Sequence, residues 1–419
     1  MGAGASPAPT PLDGGLYAWF MVLLAAVFVG VGRGCLLTVT LFLAPLEAEF
    51  GWLRAETSFA YGLGNIMAGV GGIAAGWWAD RVSTRSAVLF GTFVLGGSLV
   101  ALALMRSRLE FYLLYGVILG GFAISTYLAP LVTSIGFWFS KNRGLATSLT
   151  LVGQSAGSAL IPPLAGYLIL LYSWREAYLI LGLLAWAMLL PLCFLLREPP
   201  GVEALKAHAR AQHGTAAAGV AVISPGLLVT LLSLQTITIS FCLTIPVVHL
   251  VPLVMSYGYD TTTAAGVYST IFIAGIVGRV LLGKLMDVVG GLPALIIATG
   301  LPALTIYGLT QVQTLPMLYG VTAVFGFGFG GVLGTYSVII RSLVPPHLTG
   351  RSVGWVFFWG YLALGVGGYV GGVLYDATGN YLATYAVGAA SGLISLATAM
   401  LLTLFVRRRQ ARAAAMPPA

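Results

Sequence analysis

The chain has 419 residues, of which 58% are hydrophobic and only 8% are Asp, Glu, Lys or Arg. Soluble domains carry about 25% charged residues, so this composition excludes a water-soluble protein of this size. A bilayer requires an apolar exterior, and we therefore interpret the net charge of +8 as a signal of membrane topology rather than of nucleic-acid binding.

Apolar runs long enough to cross a bilayer recur along the chain. The first begins at Tyr17, and because neither a basic segment nor a clear cleavage site flanks it, we predict a retained helix rather than a signal peptide. Six helices are predicted near 17–45, 57–79, 86–105, 110–137, 144–172 and 176–196, which makes 1–196 one bundle. A polar cytoplasmic linker, 197–224, precedes six more helices near 225–256, 262–285, 292–311, 315–342, 351–374 and 381–405, which make 225–405 a second bundle before a basic tail, 406–419.

Cysteine usage and motif content bear on chemistry. Cys35, Cys193 and Cys242 each fall in an apolar run, where Cys serves as a small core residue, so neither a disulfide nor a metal site is expected. The sequence offers no metal-binding His cluster, paired buried carboxylates or nucleophile triad. These gaps disfavour a membrane-embedded enzyme and predict no cofactor.

Basic residues indicate how the predicted helices are oriented. With both termini in the cytoplasm, fourteen of the 20 Lys and Arg residues fall inside and four fall outside, while Arg33 and Arg279 lie within helices. This bias follows the positive-inside rule, so we predict a multi-pass protein of the cell membrane, which in a bacterium is the inner membrane. The run Arg407–Arg409 then serves as a topology anchor.

The two halves of the chain resemble each other weakly. Residues 76–80 (GWWAD), ending helix 2, match residues 283–287 (GKLMD), ending helix 8, at an offset of 207, and a Tyr-Gly-Val triplet recurs at an offset of 204. Arg143 and Arg351, which open helices 5 and 11, differ by 208. We therefore predict an all-α integral membrane protein of twelve helices, in two six-helix bundles related by a pseudo-twofold axis around a midplane site.

Residues 76–85 (GWWADRVSTR) resemble the loop between helices 2 and 3 of major facilitator transporters. The resemblance implies a secondary transporter that works by alternating access between its two bundles. Asp80, Arg81, Arg85 and Asp287 lie at helix ends, where opposite charges can pair across the bundle interface and form a latch on the cytoplasmic side.

Two further segments resemble one branch of that superfamily, the monocarboxylate transporters. Residues 13–19 (DGGLYAW) are similar to that family's Asp-Gly-Gly-Trp-Gly-Trp signature, and residues 138–146 (WFSKNRGLA) are similar to its loop 4–5 signature. The resemblance implies a small monocarboxylate substrate, such as lactate or pyruvate, moved by proton symport. The expected partners are this substrate, a proton and the lipid bilayer, with no nucleic acid and no obligate protein partner.

Ionisable residues inside the predicted helices are rare. An Arg in the bilayer costs about 2.5–3.5 kcal/mol on insertion scales, so its presence requires a reason. Arg279 precedes Asp287 by two turns of helix 8, which places it ~12 Å from the cytoplasmic end. A guanidinium there can bind a carboxylate through two parallel hydrogen bonds, and the position matches the substrate-binding Arg that the resemblance implies. The alternative is a structural Arg whose donors are satisfied by backbone carbonyls.

The sequence departs from the family pattern at two places. The Asp expected one turn before the helix 8 Arg is replaced by Gly275, and the helix 1 Lys of animal members corresponds to Leu36. Both departures put the animal-type proton relay in doubt while leaving the anion-binding Arg in place. Leu36 is instead expected to contact the apolar end of the substrate.

Aromatic residues complete the expected site. Tyr127 and Tyr336 lie 209 residues apart at nearly symmetric places on helices 4 and 10, where each hydroxyl either contacts the substrate or serves helix packing. Phe358 on helix 11 is expected to close the pocket. His249, near the outer end of helix 7, is a candidate proton carrier, although a lone His is more often structural. Arg33 is expected to extend its guanidinium to the outer headgroups, and the alternative is that it attracts anions in an outer vestibule.

Three classes of function remain open at this stage. Proton–monocarboxylate symport is the first hypothesis, and an exchanger of organic anions of the oxalate/formate type is the closest alternative. A non-catalytic receptor is the third class, which the latch motif and the internal repeat disfavour because both indicate moving bundles.

Overall fold

The computed structural model describes residues 15–139, 143–198, 224–344 and 346–414, with the backbone alone at 80, 143, 144, 287, 341, 346–351 and 410–414. Within these ranges the chain is helical, and twelve helices are long and apolar enough to cross a membrane. The predicted fold class is confirmed. Residues 199–223 of the predicted linker, together with Asp13 and Lys141 of the signature segments, lie outside the described residues.

The helices are numbered in chain order. The first six are α1 Leu16–Phe50, α2 Arg54–Arg81, α3 Thr84–Ala103, α4 Arg108–Trp138, α5 Arg143–Leu171 and α6 Trp174–Leu195. The last six are α7 Pro225–Ser256, α8 Thr261–Val289, α9 Gly291–Thr310, α10 Leu315–Leu343, α11 Pro346–Thr378 and α12 Leu382–Ala414.

Several helices are longer than predicted, α1, α11 and α12 by the most. α1 continues to Phe50 rather than ending near 45, and Glu47 and Glu49 in its last turns pair with Arg54 and Arg175. α11 begins at Pro346 rather than near 351. α12 continues through the basic tail to Ala414, so the described part of that tail is helical. In α1 and α12 charged residues extend the helix into the interface, where water and ion pairs satisfy them.

Helix pairing repeats between the two halves. α1 packs on α5 as α7 packs on α11, α2 packs on α4 as α8 packs on α10, and α3 packs on α6 as α9 packs on α12. Glycines permit these contacts, since a Cβ on Gly157 would collide with the Gly30 carbonyl, and one on Gly330 would collide with the Gly275 carbonyl. The predicted pseudo-symmetry is thus present in the packing.

The two halves meet along α2 and α11, but only over part of their length. A Cβ on Gly62 would lie 2.5 Å from the Gly365 oxygen, so the backbones touch there. Seven residues further along the same antiparallel register, Gly69 and Phe358 are both exposed and line a cavity. The bundles are therefore closed at one end of this interface and separated at the other.

A second interface, between α5 and α8, holds the halves together past the point where α2 and α11 separate. Ser269 Oγ donates a hydrogen bond of 2.6 Å to the Ala159 carbonyl, and Arg279 donates one to α5 further toward the separated end. With the predicted orientation, the separated end faces the cytoplasm. The structure therefore corresponds to an inward-facing state of the predicted topology.

Candidate substrate cavity

The space between the bundles consists of two connected lobes. The wide lobe, about 660 Å³, is lined by Asn65, Tyr127, Gly354 and Phe358 among others. The narrow lobe, about 70 Å³, lies deeper and is lined by Arg279, Tyr336 and Tyr61 among others. Four residues line both lobes and mark their junction: Arg33, Gln154, Phe357 and Tyr361.

Arg279 reaches the narrow lobe from α8, as the sequence predicted for its depth in the membrane. Its Nη1 donates a hydrogen bond of 2.8 Å to the Leu151 carbonyl on α5, so the side chain crosses the bundle interface. No Asp or Glu of the described ranges lines either lobe. The guanidinium thus has a neutral partner and remaining donors beside a cavity, which is the arrangement an anion requires.

Arg33 lies at the lobe junction, and the expectation that it reaches the lipid headgroups is wrong. Its Nη1 donates a 2.9 Å hydrogen bond to Asn65 Oδ1 on α2. Asn65 is fully buried, and its Nδ2 donates in turn to the Tyr61 carbonyl at 2.9 Å. Because Arg33 is on the inner face of α1, it turns into the protein rather than along the lipid surface.

The two predicted tyrosines line the cavity with their rings, but their hydroxyls have partners inside the protein. The Tyr127 hydroxyl oxygen lies 3.1 Å from Thr92 Oγ1. The Tyr127 ring packs so closely on Gly32 that a Cβ there would collide with it. The Tyr336 hydroxyl donates to Gln235 Oε1, which is also buried. This geometry fits the packing interpretation of both hydroxyls, while the rings remain part of the cavity wall.

The structure places Leu36 and His249 away from both lobes. Leu36 is fully buried, with Cδ1 packed near Gly64 and its carbonyl accepting from the Tyr115 hydroxyl. The expected contact with the substrate is therefore absent in this conformation. His249 is also buried, and its Nε2 lies 3.0 Å from the Gly368 carbonyl on α11. A proton-carrying role for His249 would have to act from the helix interface rather than from the cavity.

Phe358 and the predicted latch residues lie at the separated end. Phe358 is 48% exposed and stacks on Trp355, so it borders the wide lobe at its entrance rather than closing the pocket. The Arg81 guanidinium lies 4.6 Å from the Trp77 ring centroid, and that of Arg85 lies 5.3 Å from that of Phe194. Both contacts stay within the first half of the chain. The side chains of Asp80 and Asp287 lie outside the described residues.

The closed end carries an ion cluster that crosses the bundle interface and that the sequence did not reveal. Asp376, at the end of α11, accepts hydrogen bonds from the backbone N–H groups of Arg54 (3.1 Å) and Ala55 (2.8 Å), which begin α2. The Arg54 Nε donates to Glu47 Oε1 at 2.8 Å, and its guanidinium lies 4.3 Å from the Tyr375 ring centroid. One half of the chain thus caps a helix of the other.

The sequence did not lead to Asn65, Gln154 and Tyr361, which are polar residues of the cavity wall. The first two carried a usable signal, since an amide in the middle of an apolar helix needs a partner or a cavity. Tyr361 had no such signal, because a Tyr in an apolar run is equally compatible with a packed position.

Twelve membrane-spanning helices in two pseudo-symmetric halves, with a cavity between them that is closed at one end, are the architecture of a membrane transporter. The family model of the Major Facilitator Superfamily matches residues 18–368, and the chain belongs to that superfamily. The relatives and structural neighbours reported below are membrane transporters rather than enzymes, and the chain is accordingly a multi-pass membrane protein.

Sequence relatives extend over nearly the whole chain. Monocarboxylate transporter 13 of Bos taurus is 28% identical over 397 residues, covering 91% of this chain and 88% of the relative. The uncharacterized MFS-type transporter YcxA of Bacillus subtilis (strain 168) is 26% identical over 388 residues, covering 88% and 91%. The resemblance to monocarboxylate transporters is thus confirmed, and it extends over nearly the whole chain.

Solved structures share the fold at low sequence identity. The nucleoside transporter NupG (D323A mutant) superposes with a TM-score of 0.72 at 14% identity, covering 91% of this chain and 99% of that one. A D-xylose-proton symporter gives a TM-score of 0.67 at 15% identity, covering 91% and 96%. These similarities establish the fold alone. The substrate has to be inferred from the residues that line the cavity.

Proposed function

We propose that this chain transports small carboxylates across the membrane by alternating access, with Arg279 as the residue that binds the carboxylate. The observation that carries the proposal is the Arg279 guanidinium, which crosses the bundle interface, hydrogen-bonds a neutral carbonyl and lines a cavity without a described acidic neighbour. A buried cation that binds no carboxylate of its own protein is suited to bind one from a substrate.

The first substrate class is the small monocarboxylates, such as lactate or pyruvate, moved together with a proton. Several relatives are named monocarboxylate transporters, which supports this choice. Importing a bare anion into a negative-inside cell costs about 2.3 kcal/mol per 100 mV, and a co-transported proton removes that term. Since His249 lies away from both lobes, the substrate itself is the simpler carrier of the proton.

Uptake of labelled lactate into proteoliposomes tests this function. An inward proton gradient should increase initial uptake severalfold over equal pH on both sides, and a protonophore should abolish the increase. Saturable uptake that does not respond to the gradient would rule out symport, and the absence of uptake of any short monocarboxylate would overturn the proposed substrate class.

Organic-anion exchange is the second candidate, and the pair Arg33 and Arg279 favours it. Two cations at one cavity, without a titratable acid among the described lining residues, can load an anion from either side without a proton. Counterflow separates the two mechanisms, because an exchanger accelerates labelled uptake when unlabelled anion is preloaded and remains inactive in empty vesicles.

A further inference from the structure

Arg33 and Arg279 face the narrow lobe from opposite halves of the chain, one on α1 and the other on α8. Each guanidinium has five N–H donors, and the described residues supply each with one hydrogen-bond acceptor. Both acceptors, the Asn65 amide and the Leu151 carbonyl, are uncharged. The lobe therefore holds two positive charges that no described acidic residue compensates.

A monocarboxylate compensates only one of these charges. Two guanidinium groups beside a cavity with a low local dielectric repel each other, and neutral hydrogen-bond acceptors reduce this cost only in part. In the ion cluster at the closed end, by contrast, the carboxylate of Glu47 compensates the charge of Arg54. The described residues provide no such counterion for Arg33 and Arg279, so a ligand with two negative charges fits them better than a ligand with one.

The surroundings of Arg33 indicate a prepared binding position. Asn65 is fully buried and fixed by its bond to the Tyr61 carbonyl, so its oxygen is held toward Arg33. The Tyr61 side chain is also fully buried and lines the narrow lobe, and its hydroxyl has no partner among the described residues. A buried hydroxyl without a partner costs stability, unless a ligand provides the acceptor.

We infer that the narrow lobe also accepts short dicarboxylates, with Arg279 binding one carboxylate and Arg33 the other, assisted by the Tyr61 hydroxyl. This inference rests on the proposed role of Arg279 and adds a substrate class. The volume of about 70 Å³ limits the ligand to a short chain. Because the two arginines belong to different halves, a bound dicarboxylate connects α1 to α8 across the bundle interface.

Ligand-induced thermal shifts of the purified protein at pH 7.5 test the inference with matched acids, succinate against butyrate and malonate against propionate. We expect Arg33→Gln to weaken dicarboxylate binding by about tenfold or more, while monocarboxylate binding changes by less than about twofold. Tyr61→Phe should act in the same direction with a smaller effect. Arg106→Gln is the charge control, because Arg106 is exposed beyond the end of α3, away from both lobes.

Two outcomes overturn the inference while the proposed function stands: monocarboxylates bind the unmodified protein and dicarboxylates do not, or Arg33→Gln weakens both classes equally. If Arg279→Lys leaves the binding of both classes unchanged, the proposed function fails and the inference fails with it. Should Arg33→Gln not fold, Arg33→Lys keeps the charge but loses the planar fork, and it should still weaken the dicarboxylate selectively.

Discussion

Arginines in this protein differ in what neutralises them. Arg54, whose side chain is 11% exposed, is held by Glu47 and by two aromatic rings at the closed end. Arg33 and Arg279 are bound to neutral oxygens and border a cavity. Since an uncompensated charge in a membrane is costly, the contrast supports the proposal that Arg33 and Arg279 bind a ligand while Arg54 is structural.

Arg279→Lys is the sharpest test at the scale of a residue. Lysine keeps the charge, but it presents a point donor instead of a planar fork and is too short to keep both the Leu151 bond and a bidentate carboxylate. We expect carboxylate affinity to fall by about tenfold or more, measured by thermal shift and by the KM of uptake.

Lys284→Gln provides the control for this substitution. Lys284 is exposed on the same helix, α8, so its replacement removes a charge without touching the cavity. Unchanged affinity in the Arg279→Lys variant, or an equal loss in the control, would remove Arg279 from the binding site.

Glycines decide how the helices approach each other. α2 and α11 touch at Gly62 and Gly365 with no room for a Cβ, whereas nothing lies within 4 Å of a Cβ built on Gly69 of the same helix. One helix therefore carries a tight contact at the closed end and a free surface at the open end, which is the geometry required of elements that separate and rejoin.

Gly62→Ala should disfavour the inward-facing state. Its Cβ would lie 2.5 Å from a backbone oxygen that cannot rotate away, and overpacking of this kind costs about 1–3 kcal/mol. A cysteine introduced as Gly354→Cys, which lines the wide lobe, should then react more slowly with a membrane-impermeant thiol reagent from the open side.

Gly69→Ala is the matched control, because Gly69 lies on the same face of α2 where this helix is separated from α11. It should leave the labelling rate unchanged, because its Cβ meets open space in this state. The native cysteines Cys35, Cys193 and Cys242 are buried and contribute little background. If the Gly354→Cys protein and its Gly62→Ala and Gly69→Ala derivatives are labelled at equal rates, the assignment of Gly62 as a closing contact is contradicted.

At the scale of the whole molecule, Asp376 of α11 accepts hydrogen bonds from the first backbone N–H groups of α2 across the closed end. In the proposed alternating-access motion these bonds break when the outer side opens, so we expect them to contribute to the difference in free energy between the two states. The same proposed motion couples the arginines of the cavity to this distant cap.

Asp376→Asn should shift the population toward the outward-facing state. The charge that complements the α2 N-terminus is lost, which is worth about 0.3–1 kcal/mol, or up to about fivefold in the ratio of the states. Labelling of Gly354→Cys from the open side should slow by no more than this factor, because its rate follows the fraction of molecules in the inward-facing state, and labelling of an outer position in the α2–α11 contact should rise.

Asp260→Asn is the control, because Asp260 also caps a helix on the same side but caps its own, α8, through the N–H groups of Thr262 and Thr263. Hydrogen bonds from Thr263 lower the pKa of Asp260, so Asp260 is charged at neutral pH. A shift of equal size in both variants would mean that loss of a cap, rather than loss of the cross-bundle bond, changes the labelling.

The depth of a residue along a helix can be predicted from the sequence, whereas the direction of its side chain cannot. The apolar run and the charged end of helix 8 indicate the depth of Arg279, and the structure places Arg279 at the narrow lobe, where its role in binding stays a prediction. The direction of Arg33 depends on which face of α1 packs on α5, and in the structure it points to Asn65 rather than to the lipid. Leu36 lies away from both lobes for the same reason, since rotating a helix by part of a turn moves a residue from a cavity to a helix contact.

Sequence by itself determined the twelve helices, their orientation and the scarcity of charge within them, because a bilayer imposes length, polarity and loop charge on each segment separately. The tertiary structure decided which side is closed, that two arginines rather than one face the narrow lobe, and that the tyrosine hydroxyls are already bonded. These features depend on the rotation of each helix about its axis and on contacts between residues hundreds of positions apart. In a chain that is apolar on nearly every helix face, the hydrophobic pattern does not specify that rotation, and only the packing of small residues and buried polar groups fixes it.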